Sequence, residues 1–113
     1  MILATLLLWA APAPASMAGL YETRQMEVAA ALELQQNGHF RYALDYGAVS
    51  ERGEGDWSFD GTNVRLTSNP MPPELHALEL GNTRFKDQPL ALRDGDLLLE
   101  RYETLFRFRR VEP

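Results

Sequence analysis

Cysteine is absent from this chain, lysine occurs once, as Lys86, and histidine twice, as His39 and His76. The first absence excludes disulfides, thiolate catalysis and thiolate metal sites. With no H-x-H or HExxH spacing, a zinc site would need one or both histidines with carboxylates, for example His39 with Asp45 across a neighbouring strand. His39 directly follows Asn37-Gly38, where a solvated polar residue is ordinary, so no metal is expected. Also missing are a G-x-S-x-G elbow, phosphate-cradling glycine patterns and the D-x-[DN]-x-[DN]-G spacing of a calcium loop. No cofactor is implied. A net charge of −5 argues against nucleic acid and against anionic membrane surfaces. Ten of the eleven basic residues are Arg, which carries no functional meaning by itself.

Basic residues are lacking at the start as well: no Lys or Arg lies between Met1 and Glu22. Ile2 to Ala11 is free of charge and leads into Pro12-Ala13-Pro14-Ala15-Ser16. A short apolar core followed by a small-residue A-x-A pattern predicts a secretory signal peptide over residues 1–15. Ser16-Met17-Ala18 offers a second cut, so the mature chain is expected to begin at Ser16 or Gly19. The alternative, a membrane anchor, fails on length, because a spanning helix needs about 20 apolar residues. Cleavage leaves no stable membrane anchor and one small domain, residues 16–113. Without disulfides, that domain must rest on its apolar core. Its expected location is the periplasm or the cell exterior.

What is present is a run of short strands. Turn signals recur at Asn37-Gly38, Gly53-Glu54-Gly55, Asp60-Gly61, Gly81-Asn82 and Asp94-Gly95, with short alternating runs between them. This spacing predicts an all-β sandwich or barrel, here a small antiparallel barrel of about eight strands. From His39 to Gly47, Phe40, Tyr42, Leu44 and Tyr46 share one parity while Arg41 and Asp45 take the other. The charged pair must face water, so the aromatic row faces the core. Tyr42 is expected deep, with its hydroxyl bonded, and Tyr46 at the rim with its hydroxyl wet. Trp57 and Phe59, ahead of the Asp60-Gly61 hairpin, are expected to be core residues. Asn69 to Pro73 should carry the chain across one end of the fold. Weaker strands are predicted over Leu75 to Leu80, Arg84 to Leu92, Leu97 to Arg101 and Leu105 to Val111.

Thr23 to Gln36 is rich in helix formers, with Thr23 at an N-cap position and Gly38 near a C′ position. Against a helix, Met26, Val28, Ala30, Leu32 and Leu34 follow period two, which predicts a strand.

Gly19-Leu20-Tyr21, Gly38-x-Phe40-x-Tyr42, Gly55-x-Trp57, Asp60-Gly61 and Val64-x-Leu66 together resemble a small lipocalin-like barrel. The spacing is similar to that of bacterial envelope domains such as the N-terminal barrel of the copper-resistance lipoprotein NlpE. The likeness spans Gly19 to Ser68 and implies architecture rather than activity. The lipid-attachment cysteine and cysteine pair of that type are absent, so copper or redox sensing is not implied.

Candidate functional residues are few. Glu51, Glu54 and Asp56 form the densest acidic group, in a glycine-rich stretch read as a mobile solvated loop. Arg107 and Arg109 share an outward face and could clamp a carboxylate or phosphate; the simpler reading pairs them with Glu100 or Glu103. Tyr46 could meet a ligand at the barrel mouth. The expected function is a non-catalytic module binding an apolar small molecule or a protein partner in the cell envelope. The alternatives are a hydrolase or isomerase with its site at the mouth, and an inhibitor-like protein presenting the loop from Ala48 to Gly55. A filled barrel interior favours a protein partner; a well-formed pocket with converging polar groups favours a ligand.

Overall fold

A computed structural model describes residues 14–70 and 85–111. Eight antiparallel strands close into one barrel: β1 (Gly19–Gln25), β2 (Val28–Leu34), β3 (His39–Tyr46), β4 (Val49–Phe59), β5 (Asn63–Ser68), β6 (Gln88–Arg93), β7 (Asp96–Arg101) and β8 (Thr104–Arg110). Each strand pairs with its sequence neighbours. The sheet closes where β1 meets β8, with Tyr21 opposite Arg110 and Glu22 opposite Arg109. The predicted strand Leu75 to Leu80, the predicted turn Gly81-Asn82, His76, residues 71–73 of the predicted crossing and residues 1–13 of the predicted signal peptide lie outside the described residues.

The alternation read in the sequence sets which face each residue takes. Phe40, Tyr42 and Leu44 on β3 point inward and are buried, as are Leu32 and Leu34 on β2, Val64 and Leu66 on β5, Leu97 and Leu99 on β7, and Phe106 and Phe108 on β8. With Tyr21, Trp57, Phe85 and Leu90 they form a single cluster that occupies the barrel interior. Fully burying one such side chain contributes roughly 1.5–3 kcal/mol, so the cluster is the fold's main source of stability. The outer face carries Glu22, Arg24, Glu33, Arg41, Asp45, Arg52 and Glu54, on the opposite parity of β1 to β4. An apolar interior under a charged wall is the reverse of a transmembrane barrel, whose lipid-facing band is apolar.

Several expectations about turns need correcting. Thr23 to Gln36 is extended, as its period implied, but it is not one strand. It contains the end of β1, a two-residue turn at Met26-Glu27 and all of β2, with Gln25 opposite Val28. Met26, grouped with the core by parity, is therefore a turn residue and 90% exposed. The turn was invisible because Glu27, not glycine or asparagine, takes its positive φ of 62°.

Gly53-Glu54-Gly55 is no turn either. SERGEGD lies inside the 11-residue strand β4, so there is no solvated loop from Ala48 to Gly55 for an inhibitor-like protein to present. Gly55 faces inward where β5 leaves the sheet. A Cβ there would overlap the Thr67 carbonyl oxygen and press against Ser68 Cα at 2.8 Å. Asp94-Gly95 and Asp60-Gly61 do form hairpin loops, the first as a two-residue turn with both residues at positive φ, as the type I′ geometry requires.

Candidate functional site

Antiparallel order gives the barrel two unlike ends. The N-terminal end holds the β2–β3, β4–β5 and β6–β7 loops and residues 14–18. The opposite end holds the β1–β2, β3–β4 and β7–β8 turns and the described ends of the β5–β6 connection, and its mouth is lined by tyrosines.

Glu51 stands inside this tyrosine end. It shares parity with Trp57 on β4, so its side chain enters the lumen, where only 8% of it is exposed. Arg101, the last residue of β7, crosses the lumen to meet it. Arg101 Nε donates to Glu51 Oε1 at 2.9 Å and Nη2 to Oε2 at 2.7 Å, a two-pronged contact between strands that are not neighbours in the sheet. Tyr102 Oη donates to Oε2 at 2.6 Å. Tyr42 Oη stands 3.5 Å from Oε1, the outer limit of a hydrogen bond. The guanidinium of Arg101 lies 5.3 Å from the Phe85 ring centroid and 5.2 Å from that of Tyr102, within cation–π range of both.

The β7–β8 turn presents Tyr102 in a costly conformation. Tyr102 and Glu103 both adopt left-handed φ, 54° and 58°. Such two-residue turns favour Asn-Gly or Asp-Gly, and a bulky residue there costs on the order of 1 kcal/mol or more. The contact between the Tyr102 hydroxyl and Glu51 offsets that cost. Backbone strain of this kind concentrates where a side chain must be held in one place.

Arg101, Tyr102 and Tyr42 are each held in one protonation state. The bond to Glu51 raises the Arg101 pKa further above its ordinary value, so the guanidinium stays charged. Burial, reinforced by the hydrogen bond and negative charge of Glu51, pushes the Tyr102 phenol up. Tyr42 is pushed up more strongly, first by burial and then by the negative charge of Glu51. Arg101 supplies the opposite charge, and donors occupy both oxygens of Glu51. Such a carboxylate is a crossbar under the mouth, poorly placed to take a proton from a substrate.

Among the residues singled out from sequence, Tyr46 and Glu51 are brought together. Tyr46 is half-buried above the crossbar, its ring centroid 6.4 Å from Tyr102 and 5.6 Å from Phe106. Tyr42 lies below it and is buried, in the order expected. Glu54 is not part of the site; it faces the outer wall opposite Arg41. Arg107 and Arg109 share the outward face expected of them and stand apart from this site. Arg107 Nε pairs with Asp96 at 2.7 Å, rather than with Glu100 or Glu103, and Arg109 sits opposite Glu22. His39 Nδ1 meets Asp56 at 2.8 Å, not Asp45, because the β3–β4 register sets those two opposite each other. No group of three or more His, Asp or Glu able to hold a metal occurs among the described residues.

Arg101 and Tyr102 were missed. Nothing local marks an ion pair between residues 50 apart. Glu51 itself had one usable signal, its parity with Trp57, which glycines at positions 53 and 55 concealed.

Around this mouth the turns display apolar side chains to solvent: Met26 (90% exposed), Val49 (37%), Tyr102 (46%) and Leu105 (54%). They come from three turns that follow one another around the rim. The backbone N–H of Gly47 donates to Glu27 O at 3.2 Å and fastens two of those turns together. Comparison of the chain with known protein families, with curated proteins and with solved structures returned no match.

Proposed function

We propose that this chain is an exported, non-catalytic β-barrel module that binds a protein partner in the cell envelope through its tyrosine end. The observation that carries this reading is the barrel interior, occupied by one cluster of the protein's own buried side chains. A small apolar ligand would have to displace that cluster, which is the fold's main source of stability. The surface offered instead is the rim of Met26, Tyr46, Val49, Tyr102 and Leu105. Apolar side chains grouped among polar ones mark an interaction surface, and tyrosine is among the residues enriched at such centres. The export element rests on the apolar run and small-residue cleavage pattern of residues 1–15. The non-catalytic element rests on the engagement of both Glu51 oxygens.

A photo-crosslinking amino acid at Met26 or Leu105, in the full chain expressed in its own cell type, should trap one discrete protein adduct. The same probe at Arg93, exposed at the far end, should trap none. A long-chain fatty acid should fail to bind the purified barrel. Stoichiometric uptake of the fatty acid with quenching of Trp57 would overturn the reading in favour of a lumenal ligand.

A further inference from the structure

Two small-residue patterns compete for the cut that releases the mature protein, and the barrel distinguishes between them. Residues 15–17 form a 3-10 turn, and Met17 and Ala18 pack against the core at the N-terminal end. Three backbone carbonyls of this short segment are held by side chains of the barrel itself. Tyr21, buried on β1, donates its hydroxyl to Met17 O at 2.7 Å. Arg110, at the end of β8, donates from Nη1 to Ser16 O and from Nη2 to Ala18 O, both at 2.7 Å. Its guanidinium also lies over the Tyr21 ring, 5.9 Å from the centroid.

From this geometry we infer that the processing site is the Ala15–Ser16 bond and that Ser16–Ala18 is the mature protein's stopper for the N-terminal end of the barrel. The inference rests on the export reading above and adds where the cut falls. A peptidase that takes small side chains would find Ala13 and Ala15 before one bond and Ser16 and Ala18 before the other. Cutting after Ala15 frees the Met17 and Ala18 amides from Pro14 O and Ala15 O. Both residues are only partly buried, so water can replace those partners. All three held carbonyls remain.

Cutting after Ala18 removes all three. The Tyr21 hydroxyl then loses its acceptor, and the core beneath Met17 and Ala18 loses its cover. The Ala18–Gly19 bond is also shielded once the barrel has formed. Gly19 is the first residue of β1, opposite Leu34, and Ala18 O is under Arg110, whereas Ala15 and Ser16 are exposed. If cleavage precedes folding, only a cut at the first bond leaves a chain able to form the stopper; if cleavage follows, access selects that bond.

The test begins with the full chain in a bacterial host, followed by cell fractionation and intact-mass measurement. A product beginning at Ser16 in the envelope fraction is expected. A product beginning at Gly19 overturns the inference while leaving export intact. An uncut chain in the cytosol overturns export and the inference together. Chains produced directly from Ser16 and from Gly19 then test the stopper without any processing. The Gly19 chain should have an unfolding constant raised by about tenfold or more, from the loss of three hydrogen bonds. Arg110→Ala should weaken the Ser16 chain and leave the Gly19 chain almost unchanged, the non-additivity expected of contacting groups. Equal stability of the two parent chains, or an equal effect of Arg110→Ala in both, overturns the stopper.

Discussion

At one end of the barrel, Tyr21 and Arg110 hold backbone carbonyls of the N-terminal segment, and Trp57 Nε1 donates to Gln35 O at 2.8 Å. At the other, Glu51 and Arg101 meet across the lumen under a cover of tyrosines. Both ends are closed, but by different chemistry. Backbone carbonyls are neutral acceptors available from any residue, so side chains that use them are satisfied at little desolvation cost. A carboxylate and a guanidinium inside a barrel must first lose water, and their attraction roughly repays that loss. The first closure is expected to stabilise the fold; the second is expected to be nearly neutral overall yet severe to break.

The largest effect belongs to Trp57. Its side chain is buried and its indole N–H is bonded, so Trp57→Ala should cost about 3–5 kcal/mol. Denaturant unfolding followed by far-UV circular dichroism measures this directly. A loss under about 1 kcal/mol would show that the N-terminal end repacks around the missing ring.

Next comes Arg101→Met, which leaves Glu51 buried without its cation and should cost about 3 kcal/mol. The comparison is sharpened by adding Glu51→Leu. The double variant should regain most of the loss, because an apolar pair incurs no desolvation penalty. If it remains as unstable as the single variant, the crossbar is a true source of stability and the two ends are less different than argued.

The tyrosines give a smaller, more discriminating contrast. Tyr21→Phe removes a 2.7 Å bond from a buried hydroxyl and should cost about 0.5–1.5 kcal/mol. Tyr42→Phe removes a 3.5 Å contact to an oxygen already bonded by Arg101, and should cost less. Tyr46→Phe, at the rim, should be almost neutral. Unfolding midpoints of the three variants rank them; a larger loss for Tyr42→Phe than for Tyr21→Phe would reverse the assignment.

The same two ends show how far sequence reading extends. The wall was legible: parity placed Phe40, Tyr42 and Leu44 inward, and Asp94-Gly95 and Asp60-Gly61 marked real hairpins. Parity is a local property and survives in every strand with one wet face. The tyrosine end was not legible, for three separate reasons. Two of its turns use Glu27, Tyr102 and Glu103 at positive φ, where sequence rules look for glycine or asparagine. Glu51 carries charge at an inward position, so it read as solvated. Its partner is remote in the chain, and closure of the barrel alone brings β4 and β7 face to face across the lumen. Glu51 and Tyr46 were thus accessible one residue at a time, and Arg101 and Tyr102 not at all.

A modest, pH-dependent effect lies at the N-terminal end, where a charge rather than a carbonyl arranges a loop. Asp60 Oδ1 accepts from the backbone N–H groups of Thr62 and Asn63 at 2.8 and 2.7 Å, and Oδ2 accepts from Arg65 Nε at 2.8 Å. The Asn63 amide, then Arg65 and Thr62, hold the Asp60 carboxyl down at about 2, below its ordinary value of 3.8. A depressed carboxylate contributes stability that is fully present above its unfolded pKa. That contribution is lost as pH falls through the folded value. The window therefore runs from about pH 4 down to about pH 2. Asp60→Asn keeps one acceptor for the loop amides but removes the charge that Arg65 reads. Wild type should be modestly more stable than the variant by a constant margin above about pH 5. The margin should shrink through the window and vanish only below about pH 2. Urea unfolding of both chains from pH 2 to 7 traces it. A margin unchanged at pH 2 would mean that the shape of the loop, and not the Asp60 charge, closes this corner of the barrel.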